Sequence, residues 1–487
     1  MAQSLKLNQN HLINSGDHIM KKVLLLLITI FLSLSSYAQQ KGSVLIAGGT
    51  VMTITDGNKT DTDILIEDGA ITEIGKNLSA PAGVKTVDAS GKYVMPGIID
   101  AHSHIAAVDV NEWTNPVTAE VTMEESINPN DINMYWALAG GVTTINLMHG
   151  SANVIGGQNE TMKLRYGSGM DGLRFEGAPQ TIKFALGENP TRVHGQGFGV
   201  QPRTRMGVEQ VIRDHFDAAL DYKRNRNNYL EARKTYEAGQ RSEPPVPVAK
   251  NLRMKALVDI IEGDILVHCH SYRADEILML MRVFDDYGIK NYTFQHANEA
   301  FKIAPELRKH NAYTSVFSDW WAYKFEVYYS TAFNASILNA NGITTSINSD
   351  SGELIRHLNH EAAKTVHYGG TSKQDALKMI TINPAKQLGI AEKVGSIEVG
   401  KQGDVAIWSG HPLSIYSKAE KTFIDGKKYF DREEDPDDMR LDVIAEAKFE
   451  TAHRRWYNEG GRQGDACMQG AEIRFTQQGV QLGQATN

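Results

Sequence analysis

The chain predicts an α/β fold: a (β/α)8 TIM-like barrel carrying a small β-sandwich domain built from both ends of the sequence. Three observations predict it. Strand-like and helix-like stretches alternate through the middle of the chain, the pattern of parallel strands joined by crossover helices. Short β-prone segments with turns flank that region at residues 43–95 and 395–431. Histidines and an aspartate fall just past apolar strands, at the ends where a barrel gathers its active face.

At 487 residues and 41% hydrophobic, the chain can bury a large core plus a smaller second one. Residues 1–38 read as an upstream extension and a signal peptide. Met20-Lys21-Lys22 gives a positive start, Val23 to Leu34 is almost unbroken apolar sequence, and Ser36-Tyr37-Ala38 offers small-x-small cleavage. The apolar run falls short of the roughly 20 residues a bilayer span needs. No cysteine follows it for lipid attachment. An exported bacterial protein, periplasmic or secreted and without a stable membrane anchor, is therefore expected. Residues 1–19 precede the better start at Met20 and should be absent from the mature protein.

The first part of the sandwich occupies residues 39–96. Ser43 to Val51 reads as a strand, and Asp63 to Gly75 as a hairpin turning at Asp68-Gly69. The barrel takes residues 97–388. Its expected strands are Val94 to Ile99 leading to His102, Thr143 to Leu147, Gly172 to Phe175, Gln180 to Phe184, Asp264 to Cys269, Tyr292 to Gln295, Tyr313 to Val316 and Ile343 to Ile347. Helices fit Asp131 to Leu138, Arg273 to Phe284, Pro305 to Lys309, Thr331 to Ala340, Leu358 to His367 and Lys373 to Ile380. Residues 189–255 are charged and helix-prone, then carry Pro244-Pro245-Val246-Pro247, and read as an excursion over the barrel mouth. Residues 389–435 complete the sandwich, and 436–487 form a C-terminal extension.

Charge narrows the partners. A net charge of −8 with no basic block gives no support to nucleic-acid binding. Cys269 and Cys467 are the chain's two cysteines, so no disulfide framework holds the fold.

The chemistry sits at strand ends. In Ile98-Ile99-Asp100-Ala101-His102-Ser103-His104 the two histidines are one residue apart, so both imidazoles leave the same side of a strand. Two converging imidazoles make half of a metal site. Val267-His268-Cys269-His270 repeats the arrangement, Phe294-Gln295-His296 ends another strand, and Ile347-Asn348-Ser349-Asp350 ends the last with a carboxylate. Lys183 lies near the mouth end of the fourth strand.

Taken together, these residues resemble the amidohydrolase superfamily, and within it imidazolonepropionase-like and secreted prolidase-like enzymes. Pro96 to His104, Gly141-Val142-Thr143-Thr144, His268-Cys269-His270, His296, Asp350 and Gly400-Lys401-Gln402-Gly403-Asp404-Val405-Ala406 carry the likeness, which runs from about residue 43 to 431. The resemblance implies a metal-holding barrel binding Zn2+ or another divalent transition metal, one or two ions per chain. It implies metal ligation by His102, His104, Lys183, His270, His296 and Asp350, with Asp350 and His296 catalytic. Asp350 would be the acid/base, His296 would steady the oxyanion, and Lys183 would bridge two metals as a carboxylated lysine. His270 is favoured over His268 because it lies nearer the strand end; His268 then becomes a packed, hydrogen-bonded core residue. Glu188 is the competing carboxylate if Lys183 fails.

The expected reaction is hydrolysis of an amide, cyclic amide or dipeptide C–N bond by metal-activated water. The substrate would be a small molecule of dipeptide size, and a homo-oligomer is compatible with the sequence. A deaminase on the same barrel is the alternative, although related deaminases place a glutamate three residues after the fifth-strand histidine and here Arg273 stands there, with Asp275 and Glu276 late. A non-catalytic binding relative is a second alternative. His360-Glu361-Ala362-Ala363-Lys364 lacks the second histidine of a zinc-protease helix. Gly156-Gly157-Gln158-Asn159 reads as a turn-rich loop at the mouth. Trp320, Trp321 and Tyr323, after the seventh strand, could shape an apolar pocket.

Overall fold

A computed structural model describes residues 41–321, 323–434, 473–476 and 479–482. The signal peptide, almost all of the C-terminal extension and Cys467 lie outside the described residues. No described helix is long and apolar enough to cross a membrane.

The N-terminal strands are β1 (Val44–Met52), β2 (Asn58–Glu67), β3 (Ala70–Gly75), β4 (Lys85–Asp88) and β5 (Tyr93–Pro96). β2 and β3 form the expected hairpin, and Asp68 and Gly69 both take positive φ, 48° and 82°, as a tight hairpin turn requires. Barrel strands follow: β6 (Ile98–Ser103), β7 (Val142–Leu147), β8 (Ile155–Gln158), β9 (Glu160–Lys163), β10 (Gln180–Ala185), β11 (Ile265–Ser271), β12 (Tyr292–His296), β13 (Tyr313–Val316) and β14 (Thr345–Ile347). β15 (Val405–Trp408), β16 (Ala419–Ile424) and β17 (Lys427–Asp431) return to the first sheet. A separate hairpin pairs residues 473–476 with 479–482.

The two flanks meet as neighbours in one eight-stranded sheet, because β5 pairs parallel with β1 on one side and antiparallel with β15 on the other. This corrects the expected sandwich: the strands from the two ends are hydrogen-bonded edge to edge in one sheet. The sheet has its own apolar core, including Ile46, Ile64, Val94, Val405 and Phe423.

The middle of the chain is a TIM-barrel-like α/β fold. Its expected first strand, Val94 to Ile99, divides at Gly97 between the terminal sheet (Tyr93–Pro96) and the barrel (Ile98–Ser103). The barrel departs from expectation at two further points. First, the third strand is not Gly172 to Phe175, where a short helix spans Gly169–Leu173. Its place is taken by β8 and β9, an antiparallel run interrupted at Asn159. β8 pairs with β10 and β9 with β7, so one bent segment joins both neighbours. Gly156 and Gly157 therefore belong to a strand and not to a loop. They pack so closely on His149 that a Cβ at Gly156 would lie 2.6 Å from its Nδ1.

Second, β14 and β6 do not pair, so the ladder does not close. Residues 379–380 fill the gap: the Ile347 amide donates to Met379 O and the Ile99 amide to Ile380 O, each at 2.9 Å. The last and first strands thus satisfy backbone groups through a shared intermediary. Gly97 stands at this crowded corner, where any Cβ would meet the Thr143 side chain at 2.0 Å.

Helices cover the outside as the periodicity predicts, among them Ile132–Ala139, Ala274–Tyr287 and Leu358–Gly369. Their buried faces contribute Leu138, Ile277, Leu280, Phe284, Leu358 and Ala362 to the main core. The excursion holds a π-helical stretch, Thr191–Phe198, and a long helix, Arg205–Glu237.

A buried ion network ties the barrel to the terminal sheet. Lys163 of β9 reaches Asp404 Oδ1 at 3.0 Å and Asp425 Oδ1 at 2.5 Å, and Arg165 pairs with Asp425 at 2.8 Å. Removing one partner from such a network leaves uncompensated charge in low dielectric. Lys163→Met should therefore destabilise the fold by about 3–5 kcal/mol. The check is a lower urea midpoint at unchanged slope; an unmoved midpoint contradicts it.

Candidate metal centre

β6 ends in His102 and His104, and their alternation sends both rings to the same side, as the spacing predicts. His102 Nδ1 lies 3.2 Å from Gln295 Oε1 and His104 Nδ1 lies 2.9 Å from Met148 O. A carbonyl oxygen can only accept, so His104 carries its proton on Nδ1. The Gln295 amide nitrogen donates to Ala101 O at 3.4 Å, which turns its oxygen towards His102 and fixes the same tautomer there. Both Nε2 lone pairs then face one another, 3.3 Å apart.

Into the same space come Asp350 and Lys183. Asp350 Oδ1 lies 3.2 Å from His104 Nε2 and 3.5 Å from His102 Nε2. Asp350 Oδ2 lies 3.6 Å from His296 Nε2, and Lys183 Nζ is 3.0 Å from His102 Nε2. The His270 ring sits 4.9 Å from that of His296, centroid to centroid. All six residues expected at the centre are thus brought together, five of them buried and His104 partly exposed. Glu188 is elsewhere, 3.7 Å from both Lys324 and Arg192. His268 Nδ1 contacts the Gln295 amide nitrogen at 2.9 Å, the hydrogen-bonded core position expected of it.

Electrostatics suit a cation. Burial and the neighbouring Lys183 charge hold His102 well below the usual imidazole range; burial and His296 do the same to His270. Burial takes His296 down to about 3. Burial pushes the Asp350 carboxyl up, but the adjoining His104, His296 and Lys183 outweigh it, leaving the group lowered. His102, His270 and His296 are therefore neutral beside an ionised carboxylate, the donor set that divalent transition metals take. Both ring nitrogens of His270 and of His296 are buried without a hydrogen-bond partner. Orphaned lone pairs of this kind are costly unless an ion takes them up. His102, His296 and Asp350 bring ligand atoms within 4.8 Å of one another.

The backbone is strained at the same points. His296 and Asp350 have φ of 64° and 44°, in the left-handed region that non-glycine residues avoid.

Several contributors carry no role in the sequence reading. Asp100 is fully buried; its Oδ1 accepts the amides of His102 (3.1 Å) and Ser349 (3.3 Å), and its Oδ2 accepts the Ser349 hydroxyl. It therefore splices the end of β6 to the turn carrying Asp350. Burial pushes its carboxyl up to about 7, offset in part by the Ser349 hydroxyl. Alternation with His102 and His104 was the available signal. Tyr272 likewise continues the His268, His270 alternation, and its ring lies 4.7 Å from that of His270. His149, two residues beyond β7, accepts the Glu112 amide at Nε2 and donates from Nδ1 to Gly150 O, both at 2.9 Å.

A TIM-barrel-like fold with imidazoles and a carboxylate meeting at its strand ends is the layout of a barrel hydrolase. The comparisons identify which: the amidohydrolase family model matches residues 93–429, and the chain belongs to that family. An amidohydrolase structure from Thermotoga maritima is 32% identical, with a TM-score of 0.72, covering 80% of this chain and 100% of that one. The amidohydrolase tasK of Hapsidospora irregularis is 28% identical over 402 residues, covering 76% of this chain. This chain spans 40% of the length of tasK. An adenosine deaminase from Xanthomonas campestris shares the fold at 16% identity, with a TM-score of 0.51 over 85% of this chain and 98% of that one.

Burial lowers His149 to about 4, below the roughly 6.5 of an exposed imidazole. Between those values the unfolded chain binds the extra proton, so this contribution is complete above pH 6.5 and is lost as pH falls towards 4. The loss reaches about 2 kcal/mol at pH 5. Denaturant titrations at pH 7 and pH 5 should show a smaller acid-induced loss for His149→Gln than for the parent protein. Equal losses would remove His149 from the acid response.

Proposed function

We propose that this chain is a metal-dependent hydrolase of amide, cyclic amide or dipeptide C–N bonds. The observation that carries the reading is the pair of imidazole lone pairs held face to face at 3.3 Å beside an ionised carboxylate. His102, His104, His270, His296, Asp350 and Lys183, the last as a carboxylated lysine, would hold one or two divalent ions, with zinc the first candidate. Such an ion supplies a water of pKa near 7 and a Lewis acid for the scissile carbonyl.

The chain's own groups do the rest. Asp350, at the centre and ionised, accepts the proton of the attacking water and returns it to the departing nitrogen. His296 faces the developing oxyanion, a contribution typically worth about 3 kcal/mol. Gln295 and Met148 O keep both β6 histidines in the ligating tautomer. The carboxylates that could have supported deaminase chemistry are engaged elsewhere: Asp275 pairs with Arg273 at 2.9 Å and Glu276 with Arg205 at 3.0 Å.

We also read residues 97–388 as the catalytic unit, with 39–96 and 389–435 as its supporting sheet domain and 189–255 as a mouth insertion. Export through the segment at 20–38 rests on its charge and apolar pattern.

Protein purified without chelator should contain zinc, manganese or iron at one or two equivalents and hydrolyse members of a dipeptide and cyclic-amide panel. Chelation should abolish turnover and added divalent metal restore it; a protein that never takes up metal would sink the reading. Asp350→Asn should lower kcat at least about 100-fold with the circular dichroism spectrum intact. Gln295→Leu should weaken metal binding about 10- to 100-fold in competition with a chromogenic chelator.

A further inference from the structure

Residues 317–333, following β13, carry a run of aromatics that the proposed hydrolysis leaves unused. Phe317 stacks on the His296 ring at 4.5 Å and 17°, and Trp320 stacks on Phe317 at 4.5 Å and 19°. Tyr272 lies nearly parallel to His296 as well, at 5.4 Å and 16°. Tyr323 meets Trp320 edge-on at 5.8 Å and hydrogen-bonds its hydroxyl to that of Tyr272 at 2.9 Å. Tyr272, Phe317 and Val327 form a small apolar cluster separate from the main core, with Trp320 and Tyr323 packed against it. The series runs outward: Phe317 is 5% exposed, Trp320 and Tyr323 are part-exposed, and Phe325 and Tyr328 are 82% and 69% exposed. An aromatic track thus leads from the candidate centre to solvent.

Charge separates this wall from a carboxylate-binding one. Lys324 lies 4.0 Å over the Tyr272 ring, but its ammonium already sits 2.9 Å from Asn189 Oδ1, 3.4 Å from Glu326 Oε2 and 3.7 Å from Glu188 Oε1. Glu326 and Glu188, which also pair with Arg205 and Arg192, already match the Lys324 ammonium, so it is not held ready for the carboxylate of a substrate. Flat π-faces of this kind favour a planar ring by stacking and apolar burial.

Building on the proposed hydrolase activity, we infer that the preferred substrate carries a planar ring joined directly to the scissile amide, seated against Trp320, the part-exposed end of the His296–Phe317–Trp320 stack. Amide pairs differing only in a phenyl or methyl group, placed on the acyl side (benzamide against acetamide) or on the nitrogen side (anilide against N-methylamide), read this directly. The ring-bearing member of at least one pair should win by about 10-fold in kcat/KM, and Trp320→Ala should shrink that ratio at least about 5-fold, mainly through KM. Trp320→Leu, which keeps apolar bulk without the π-face, should lose the ratio too. Tyr416→Ala, an exposed aromatic on the sheet side, should keep it. Independently of turnover, benzyl alcohol and not ethanol should quench the fluorescence of metal-stripped protein, and Trp320→Leu should abolish the quench.

Benzyl alcohol binding without turnover of any amide would leave the wall standing and remove the hydrolase reading. Turnover with no ring preference in either pair, or a ratio untouched by both Trp320 variants, overturns the inference and spares the hydrolase. A drop in oligomeric state in those variants with an unchanged ratio also overturns it, assigning the face to a second copy of the chain.

Discussion

The end of β6 and the turn after β14 must meet, yet no ladder joins them, and the rest of the site depends on how that junction is made. Asp100 makes it by accepting two amides and a hydroxyl from both sides, and the Asp350 amide adds a bond to His102 O at 3.2 Å. A buried carboxylate is expensive to desolvate and stays only where hydrogen bonds surround it. Here those hydrogen bonds also set the separation between His102, His104 and Asp350. The same junction holds Asp350 in a left-handed backbone conformation that an unsupported residue would leave.

Around that junction the fold supplies orientation in layers. Gln295, one residue before His296, reaches back to both His102 and His268, so one amide fixes two rings on two strands. Aromatic faces then confine His296 between Tyr272 and Phe317. Farther out, Glu326 accepts the Glu188 amide and pairs with Lys324 and Arg205, and Arg205 also holds Glu276. Those contacts tie the segments after β10, β11 and β13 to the start of the long excursion helix. Buried pairs in such a rim interact more strongly than they would in bulk water.

Lys163, Asp404 and Asp425 perform the equivalent task between barrel and sheet. They explain why the Gly403-Asp404 turn is followed by an apolar strand: Val405 to Trp408 docks on β5 while Asp404 is drawn inward to Lys163. Burying three charges is tolerable because each is paired, and the pairing fixes where the sheet sits relative to β9.

Local pattern determined much of this protein. Alternation placed His102 with His104 and His268 with His270 on single faces, and apolar runs located β10 to β14 to within one or two residues, because strand period and side-chain direction are properties of the local chain. The junction of β14 with β6, the antiparallel run at Ile155 to Lys163 and the aromatic stack on His296 were decided only in three dimensions. Gly156-Gly157 looks like a loop in isolation because glycine has poor strand propensity, and only the His149 ring pressed against it makes a strand without side chains the better packing. Asp100 is one polar residue in a buried run until residues hundreds of positions away bring it the donors that justify its burial. Contacts across such separations are set by packing the whole chain, which no local period encodes.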